Sequence, residues 1–364
     1  MSPTSVLSDL LTLDRSRRSH LITTPEQWAE KALDIRRRIE LVLGKGPERV
    51  PPLEPEVHEE VRCDGYIRKL VSYAVEQDER VRAYLLIPDG VSFPAPTMLC
   101  LHPTIAEGKM EPVGLAGSPD KAYAHHLAQR GYLALAPDHL AAGERVSPGL
   151  EPYDTSAFYR KHPGWSAVGK GIWDAARALD FLLTLDEVDR ERIGVIGHSL
   201  GGHSSIFAAA FDGRIRACVS NCGLTTFADN PRRTEWCRDR WYVYLPALRP
   251  LFLAGLSAPF DMHEMVSLLA PRAFLNISSL TDSSTPLSAR ALQELAVRVR
   301  ELYDLLNAAD RFAVFFHDFG HVFPAESRAL AYAWLDRQMR SSELIHVDVP
   351  ARAIDAADRP ARAR

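Results

Sequence analysis

Between residues 97 and 316, short apolar runs alternate with stretches of helical periodicity. The runs lie at 97–101, 132–136, 192–196, 216–220, 272–278 and 311–316. Runs of this kind are typical of strands buried on both faces, as in parallel sheets. The stretch 172–183, between two of them, carries apolar residues at i, i+3, i+4 and i+7 spacing. The alternation predicts an α/β fold with a mostly parallel central sheet flanked by helices.

The segments before and after this pattern are assigned separately. Thr24 followed by Pro25 predicts the start of an amphipathic helix that Gly44 ends, so residues 1–55 form a helical N-terminal extension. Strand-like runs at 65–74 and 81–88 predict an antiparallel hairpin that opens a main domain over 56–345. Residues 346–364 have few core residues and are expected to form a disordered tail.

Residues 224–270, called the insertion below, separate two predicted late strands. This segment is too long and too aromatic for a simple connection. Two interpretations stay open: a lid or wall of a pocket, or a helical subdomain that only packs. Its aromatic residues include Trp236, Trp241, Tyr242, Tyr244, Phe252 and Phe260.

A serine stands between two glycines where a predicted strand meets a predicted helix. Residues 197–201 read G-H-S-L-G, after the strand 192–196 and before a helix of small and apolar residues at 200–211. In G-x-S-x-G the serine occupies a strained turn, and the glycines let the neighbouring backbones pass closely. The pattern predicts Ser199 as a nucleophile at the carboxyl end of a central strand.

A nucleophilic serine needs a base, and the base needs an acid that orients it. In this arrangement the chain order is serine, acid, histidine. Asp282 lies in the loop after the strand 272–278, and His321 lies in the loop after the final strand. We therefore expect Asp282 and His321 to complete the triad, with Asp229 as the competing acid.

The tetrahedral oxyanion of acyl transfer needs two backbone N–H donors. The residue after the nucleophile, Leu200, is expected to supply one of them. The loop after the strand 97–101 is expected to supply the other. Because Pro103 has no N–H, we predict Thr104 as this second donor.

Five residues are candidates for lining the substrate pocket. His198 precedes the serine, and a packing role is its alternative. Trp165 lies in a loop expected to border the same sheet edge, and its alternative is a helix start with Ser166 near the N-cap. The remaining three come from the insertion: Trp236, Trp241 and Tyr244.

Five segments together resemble the dienelactone-hydrolase-like and acetylxylan-esterase-like branch of the α/β-hydrolases. They read L-H-P-T-I-A-E-G-K, A-P-D-H-L-A-A-G-E-R, H-P-G-W-S, I-G-H-S-L-G-G-H and D-F-G-H, and the resemblance spans roughly residues 60–340. It implies an α/β-hydrolase fold and serine hydrolysis of a carboxylic ester, with the triad at Ser199, Asp282 and His321. Dienelactone hydrolases carry cysteine where Ser199 stands, and acetylxylan esterases differ beside the serine. The acyl and alcohol groups therefore stay open.

Composition excludes several other classes of function. The 43 Lys+Arg against 47 Asp+Glu give a formal charge of −4 without a basic block, so no nucleic-acid partner is expected. No apolar run approaches the roughly 18 residues of a membrane span, and no secretory signal is present, so a cytoplasmic location without membrane attachment is expected. The five cysteines lack metal-site spacing. We expect no metal or organic cofactor, while the oligomeric state stays open.

These observations favour a serine hydrolase that cleaves a small-molecule carboxylic ester through an acyl-enzyme. One alternative keeps the triad but transfers or cyclises the acyl group, as in an acyltransferase, thioesterase or cyclase whose aromatic insertion excludes water. Another is a non-catalytic ligand-binding protein on the same fold.

Overall fold

The computed structural model describes residues 10–11, 21–228, 230–284 and 289–340. Its strands form one nine-stranded sheet in the order β1-β2-β3-β5-β4-β6-β7-β8-β9. Their bounds are β1 Glu56–Cys63, β2 Tyr66–Glu76, β3 Glu79–Pro88, β4 Ala95–Leu101, β5 Leu133–Pro137, β6 Val188–His198, β7 Ile215–Asn221, β8 Ala273–Ser279 and β9 Phe312–His317.

The sheet is antiparallel at one side and parallel through its centre. The pairs β1–β2, β2–β3 and β3–β5 are antiparallel, whereas β5, β4, β6, β7, β8 and β9 pair in parallel. This confirms the predicted opening hairpin and the mostly parallel sheet. Strand β1 was not predicted, because its sequence E-V-H-E-E-V-R-C is charged and mainly exposed. It is an edge strand, where charged side chains discourage pairing with other chains.

Helices cover both faces of the sheet. Their bounds are α1 Pro25–Leu43, α2 Tyr123–Gln129, α3 Ser156–Lys161, α4 Ala167–Leu182, α5 Leu200–Phe211, α6 Arg249–Leu253, α7 Met262–Ser267, α8 Ala289–Leu305 and α9 Ala325–Arg340. The apolar cores lie on opposite faces: Leu99 of β4 belongs to the core that includes α1, α4 and α5, while Met98 belongs to the core under α2 and α9. Alternate residues of a buried strand thus serve both layers.

Helix α1 packs on the main body of the fold. Thr24 caps it by accepting the Gln27 N–H, and Gly44 follows its end at φ 76°. Ile35 and Ile39 are fully buried, and the Arg38 guanidinium pairs with Glu264 of α7 at 2.8 Å. The N-terminal extension therefore contributes to the same core as the sheet.

The insertion is less helical than predicted. Among its described residues, the helical elements are the short helices α6 and α7 and two 3₁₀ turns, and the other described residues are irregular. Asp261 begins α7 with a capping box, and its carboxylate also accepts the N–H groups of Phe227 and Ala228. Within the described residues, no helix combines the length and apolar composition needed to cross a membrane.

A cluster of charged side chains is buried where α4 meets β2 and β3. The Lys170 side chain is fully buried, and its Nζ lies 2.8 Å from a carboxylate oxygen of each of Glu76, Glu79 and Asp174. Arg145 pairs with Glu79 and Asp174 at 2.5 and 2.8 Å. Buried charges need such partners because water no longer solvates them.

Candidate active site

Ser199 lies in the sharp turn between β6 and α5, with φ 55° and ψ −116°. A Cβ atom on Gly197 would lie 2.2 Å from the Gly201 carbonyl oxygen, and a Cβ on Gly201 would lie 1.9 Å from the Leu101 carbonyl oxygen. Glycine is therefore required at both positions by close backbone approach. This is the strained strand-to-helix turn that the sequence predicts.

Three side chains from separate loops meet at this turn. The Ser199 hydroxyl lies 2.8 Å from His321 Nε2, and His321 Nδ1 lies 2.7 Å from Asp282 Oδ2. The Asp282 side chain is only 5% exposed, whereas that of His321 is 20% exposed. The carboxylate holds the imidazole so that Nε2 is free to accept the serine proton. The structure thus joins the predicted nucleophile, base and acid in one hydrogen-bonded chain.

The competing acid Asp229 lies outside the described residues. The loop that carries Asp282 is described up to Ser284, whose N–H donates to Asp282 Oδ1 at 2.8 Å.

His198 packs against His321, with ring centroids 4.7 Å apart. Asn221 Nδ2 donates to the Val322 carbonyl at 3.1 Å and lies 2.6 Å from His198 Nδ1. Since the carbonyl fixes the amide orientation, His198 Nδ1 accepts and Nε2 carries the hydrogen. Burial holds the pKa of His198 well below its ordinary range. The triad imidazole therefore has a neutral neighbour when it takes up a proton.

The loop 102–105, called the oxyanion loop below, is fixed by two buried histidines. His102 Nδ1 donates to the Pro103 carbonyl at 2.7 Å, and its Nε2 accepts the His139 N–H at 2.9 Å. Burial lowers the pKa of His102 to about 4, so it is a neutral structural residue. The N–H groups of Thr104 and Leu200 have no protein acceptor within the described part of the chain.

Ser199 opens on a cavity of about 370 Å³. Thr104, Leu200 and His321 line it, as do four of the five residues predicted for the pocket. Those four are His198, Trp236, Trp241 and Tyr244. The insertion therefore forms one wall of the cavity, as the first of its two interpretations expects.

Trp165, the fifth predicted pocket residue, does not line this cavity. It is 4% exposed and packs edge-on against Trp173 with centroids 6.3 Å apart. The next residue, Ser166, donates its N–H to the Leu43 carbonyl at 2.8 Å and caps α4 by accepting the Gly169 N–H. This loop is held at the end of α1 and begins α4, as the helix-start interpretation of Trp165 and Ser166 expects.

Three side chains at the site, two of them from the Ser–His–Asp arrangement, lie close enough together to be considered as metal ligands. The ligand atoms of Cys222, Asp282 and His321 lie within 4.8 Å of one another. Burial raises the pKa of the Cys222 thiol to about 12, while Asp282 and His321 already hydrogen-bond to each other at 2.7 Å. The chemistry of this set favours a hydrogen-bonded triad with a thiol beside it.

Sequence reasoning missed Asn221 and Tyr153, which support residues of the site through hydrogen bonds. Asn221 is the last residue of β7 and supports His198. Tyr153 hydrogen-bonds to the oxyanion loop from a segment without regular periodicity. Only the position of Asn221, at the carboxyl end of a central strand, offered a signal.

The parallel sheet, the serine turn between β6 and α5 and the Ser–His–Asp arrangement define an α/β-hydrolase. The chain belongs to the Abhydrolase family, whose model matches residues 18–298. This confirms the predicted fold class and the α/β-hydrolase resemblance.

The chain is also similar to individual proteins in sequence and in fold. The chain is 27% identical over 306 residues to the Bacillus subtilis (strain 168) protein named "Putative hydrolase YtaP", a match that covers 83% of this chain and 98% of that one. A glucuronoyl esterase from Solibacter usitatus superposes with a TM-score of 0.73 at 19% identity, over 92% of this chain and 98% of that one. A promiscuous CE15 esterase from a marine bacterial metagenome gives a TM-score of 0.70 at 17% identity, over 93% and 98%. The two solved structures share the fold over nearly their whole length.

Proposed function

We propose that this protein is a serine hydrolase that cleaves a carboxylic ester through an acyl-enzyme intermediate. The observation that carries the proposal is the chain of hydrogen bonds from Ser199 through His321 to Asp282, at 2.8 and 2.7 Å, at the edge of an open cavity. The hydrolase and esterase names of the relatives support the same chemistry.

The proposed reaction has two stages. Ser199 Oγ attacks the ester carbonyl while His321 Nε2 takes its proton, and the N–H groups of Leu200 and Thr104 bind the oxyanion. The carbonyl re-forms and the alcohol leaves with the proton from His321, so the acyl group stays on Ser199. A water molecule, deprotonated by His321, then releases the carboxylic acid and restores the serine.

The cavity favours water over another acceptor for the second stage. Ser199 is partly exposed, and charged side chains line the cavity together with the aromatic wall. An enzyme that transfers or cyclises acyl groups needs a site from which water is kept out. Hydrolysis is therefore the outcome we propose.

A series of p-nitrophenyl esters from acetate to long acyl chains tests the proposal. We expect an initial burst of p-nitrophenol matching the enzyme concentration, then steady turnover that is fastest for short acyl groups. A long alkyl chain would displace water from the charged side chains that line the cavity beside its aromatic residues, without replacing the lost hydrogen bonds. Free acid as the main product, even with an added acceptor alcohol, supports hydrolysis; ester of the added alcohol as the main product supports transfer instead.

The charges around the cavity predict a preference among esters. Lys121, Arg232 and Arg238 line it, against a single lining carboxylate, Glu235. Glu235 accepts from both guanidinium groups, at 2.7 and 3.3 Å. Lys121 lies 3.9 Å from the Glu111 carboxylate, whose pKa burial raises. The described lining therefore has an excess of positive charge, which attracts a substrate that carries a second carboxylate.

A matched pair of esters measures this preference. We expect kcat/KM for mono-p-nitrophenyl adipate to exceed that for p-nitrophenyl hexanoate by roughly 2- to 5-fold at low salt, since partly exposed charge pairs contribute up to about 1 kcal/mol. The ratio should fall at high salt and in Lys121→Gln. Equal rates for the two esters at low salt would contradict the charge argument.

A further inference from the structure

The Tyr153 hydroxyl forms hydrogen bonds with Pro103 and Ile105, the two residues that flank Thr104. It lies in the loop between β5 and α3 and is 3% exposed. The hydroxyl oxygen accepts the Ile105 N–H at 2.7 Å. Its own hydrogen faces the carbonyl oxygens of Ile105 and Pro103, at 2.7 and 3.1 Å. Since the Pro103 carbonyl and the Thr104 N–H belong to one peptide group, this side chain contacts both the peptide group of the proposed oxyanion donor and the next one along the chain.

The ring of Tyr153 is held in turn by the insertion. It packs edge-on against Tyr242, with centroids 5.5 Å apart, and against Trp241, at 5.9 Å. Trp241 is tied to the same loop, because its Nε1–H donates to the Pro152 carbonyl and its own carbonyl accepts the Thr155 hydroxyl. Tyr153 therefore joins the cavity wall to the oxyanion loop.

We infer that Tyr153 is a positioning residue that holds the Thr104 N–H in place for the oxyanion. This inference rests on the proposed function. Tyr153 is absent from the described lining of the cavity, so its influence on the reaction passes through the loop. Oxyanion donors act through a fixed geometry, and removing one donor outright costs about 10²- to 10³-fold in rate. If the donor is still present but less well aligned, the loss in rate should be smaller than that.

The same segment offers a matched control in Tyr159. Its hydroxyl accepts the Ala167 N–H at 2.9 Å and donates to the Val243 carbonyl at 2.8 Å. It also links this segment to the insertion, and burial raises the pKa of both phenols above the ordinary value. Its hydrogen bonds lead to the start of α4, whereas those of Tyr153 lead to the oxyanion loop. Removing either hydroxyl leaves comparable buried groups unpaired.

The experiment compares Tyr153→Phe with Tyr159→Phe. The measurements are kcat and KM for p-nitrophenyl acetate, thermal stability, and inhibition by phenylboronic acid, which forms a tetrahedral adduct with an active serine. We expect both variants to lose some stability. Tyr153→Phe alone should lose roughly 10- to 50-fold in kcat, within the cost of a lost donor, with KM nearly unchanged and boronate affinity reduced in parallel.

Other results separate failure of the inference from failure of the proposed function. If Tyr153→Phe keeps wild-type kcat, or if both variants lose activity equally, Tyr153 has no special role in positioning Thr104. A change confined to KM overturns the inference as well. If the wild type neither turns over any ester of the series nor binds the boronate, the proposed function fails and the inference fails with it.

Discussion

Ser199→Ala is expected to lower kcat for p-nitrophenyl ester hydrolysis by about 10⁴- to 10⁶-fold, as loss of a triad nucleophile does in other serine hydrolases. The substitution removes the hydroxyl oxygen that lies 2.8 Å from His321 Nε2. Alanine adopts the turn conformation as readily as serine, so we expect the fold and thermal stability to persist. Steady-state and burst kinetics on folded protein check both expectations.

A second serine of the same cavity serves as the control. Ser284 lines the cavity but contacts the triad through its backbone N–H, which Ser284→Ala retains. This variant should stay within a few-fold of wild-type kcat. Wild-type turnover by Ser199→Ala, without a burst defect, would remove Ser199 from the mechanism and with it the acyl-enzyme proposal.

Lys170→Met is expected to destabilise the protein by about 3–5 kcal/mol in free energy of unfolding at neutral pH. The ammonium group is fully buried and lies 2.8 Å from each of three carboxylates. Methionine fills most of the same volume but leaves Glu76, Glu79 and Asp174 with one cation fewer. Urea unfolding of the variant and the wild type measures the loss.

Lys161 provides the matched control, because it pairs with Glu76 at 3.1 Å from a side chain that is 43% exposed. Lys161→Met should cost less than about 1 kcal/mol, as exposed pairs do. Equal losses of unfolding free energy in Lys170→Met and Lys161→Met would show that burial does not determine how much these ion pairs stabilise the protein.

The effect of Lys170→Met should depend on pH with a defined sign. Burial alone would raise the pKa of Glu79, but the charges of Arg145 and Lys170 outweigh it and hold this pKa well below the ordinary 4.5. A lowered pKa stabilises the folded state above the ordinary value, and this stabilisation is lost as pH falls. We therefore expect the difference between wild type and variant to shrink below about pH 4.5, where the carboxylates of the variant take up protons. A difference that grows in acid would contradict the charge argument.

The order of Ser199, Asp282 and His321 along the chain and the positions of the apolar strands could be predicted from the sequence, because both depend on local sequence pattern. Ser199 stands between glycines at a strand-to-helix junction, and Asp282 and His321 each follow an apolar strand. Parallel strands end at one edge of a sheet, so these loops meet there in any fold of this type. Helix α5 was predicted with the same bounds, 200–211, that the structure has.

Contacts that join distant segments were not readable. Trp165 lies in a loop that resembles a pocket border, yet a backbone hydrogen bond to Leu43 holds that loop against α1. Tyr153 reaches the oxyanion loop over 48 residues of sequence, and no periodicity marks such a contact. Strand β1 is an edge strand with charged, mainly exposed side chains, so the apolar signal of a strand is missing there.

The backbone contacts among Gly197, Gly201 and Leu101 leave no room for a side chain, so natural variation has little freedom at the serine turn. The cavity wall is different, since Arg232, Trp236 and Trp241 come from an insertion outside the sheet. On the proposed function, much of the lining expected to set substrate preference thus lies in a stretch of chain separate from the turn that carries the nucleophile. Libraries restricted to codons 230–240, which keep Trp241 and Tyr242 against Tyr153, are the economical place to search for altered substrate range.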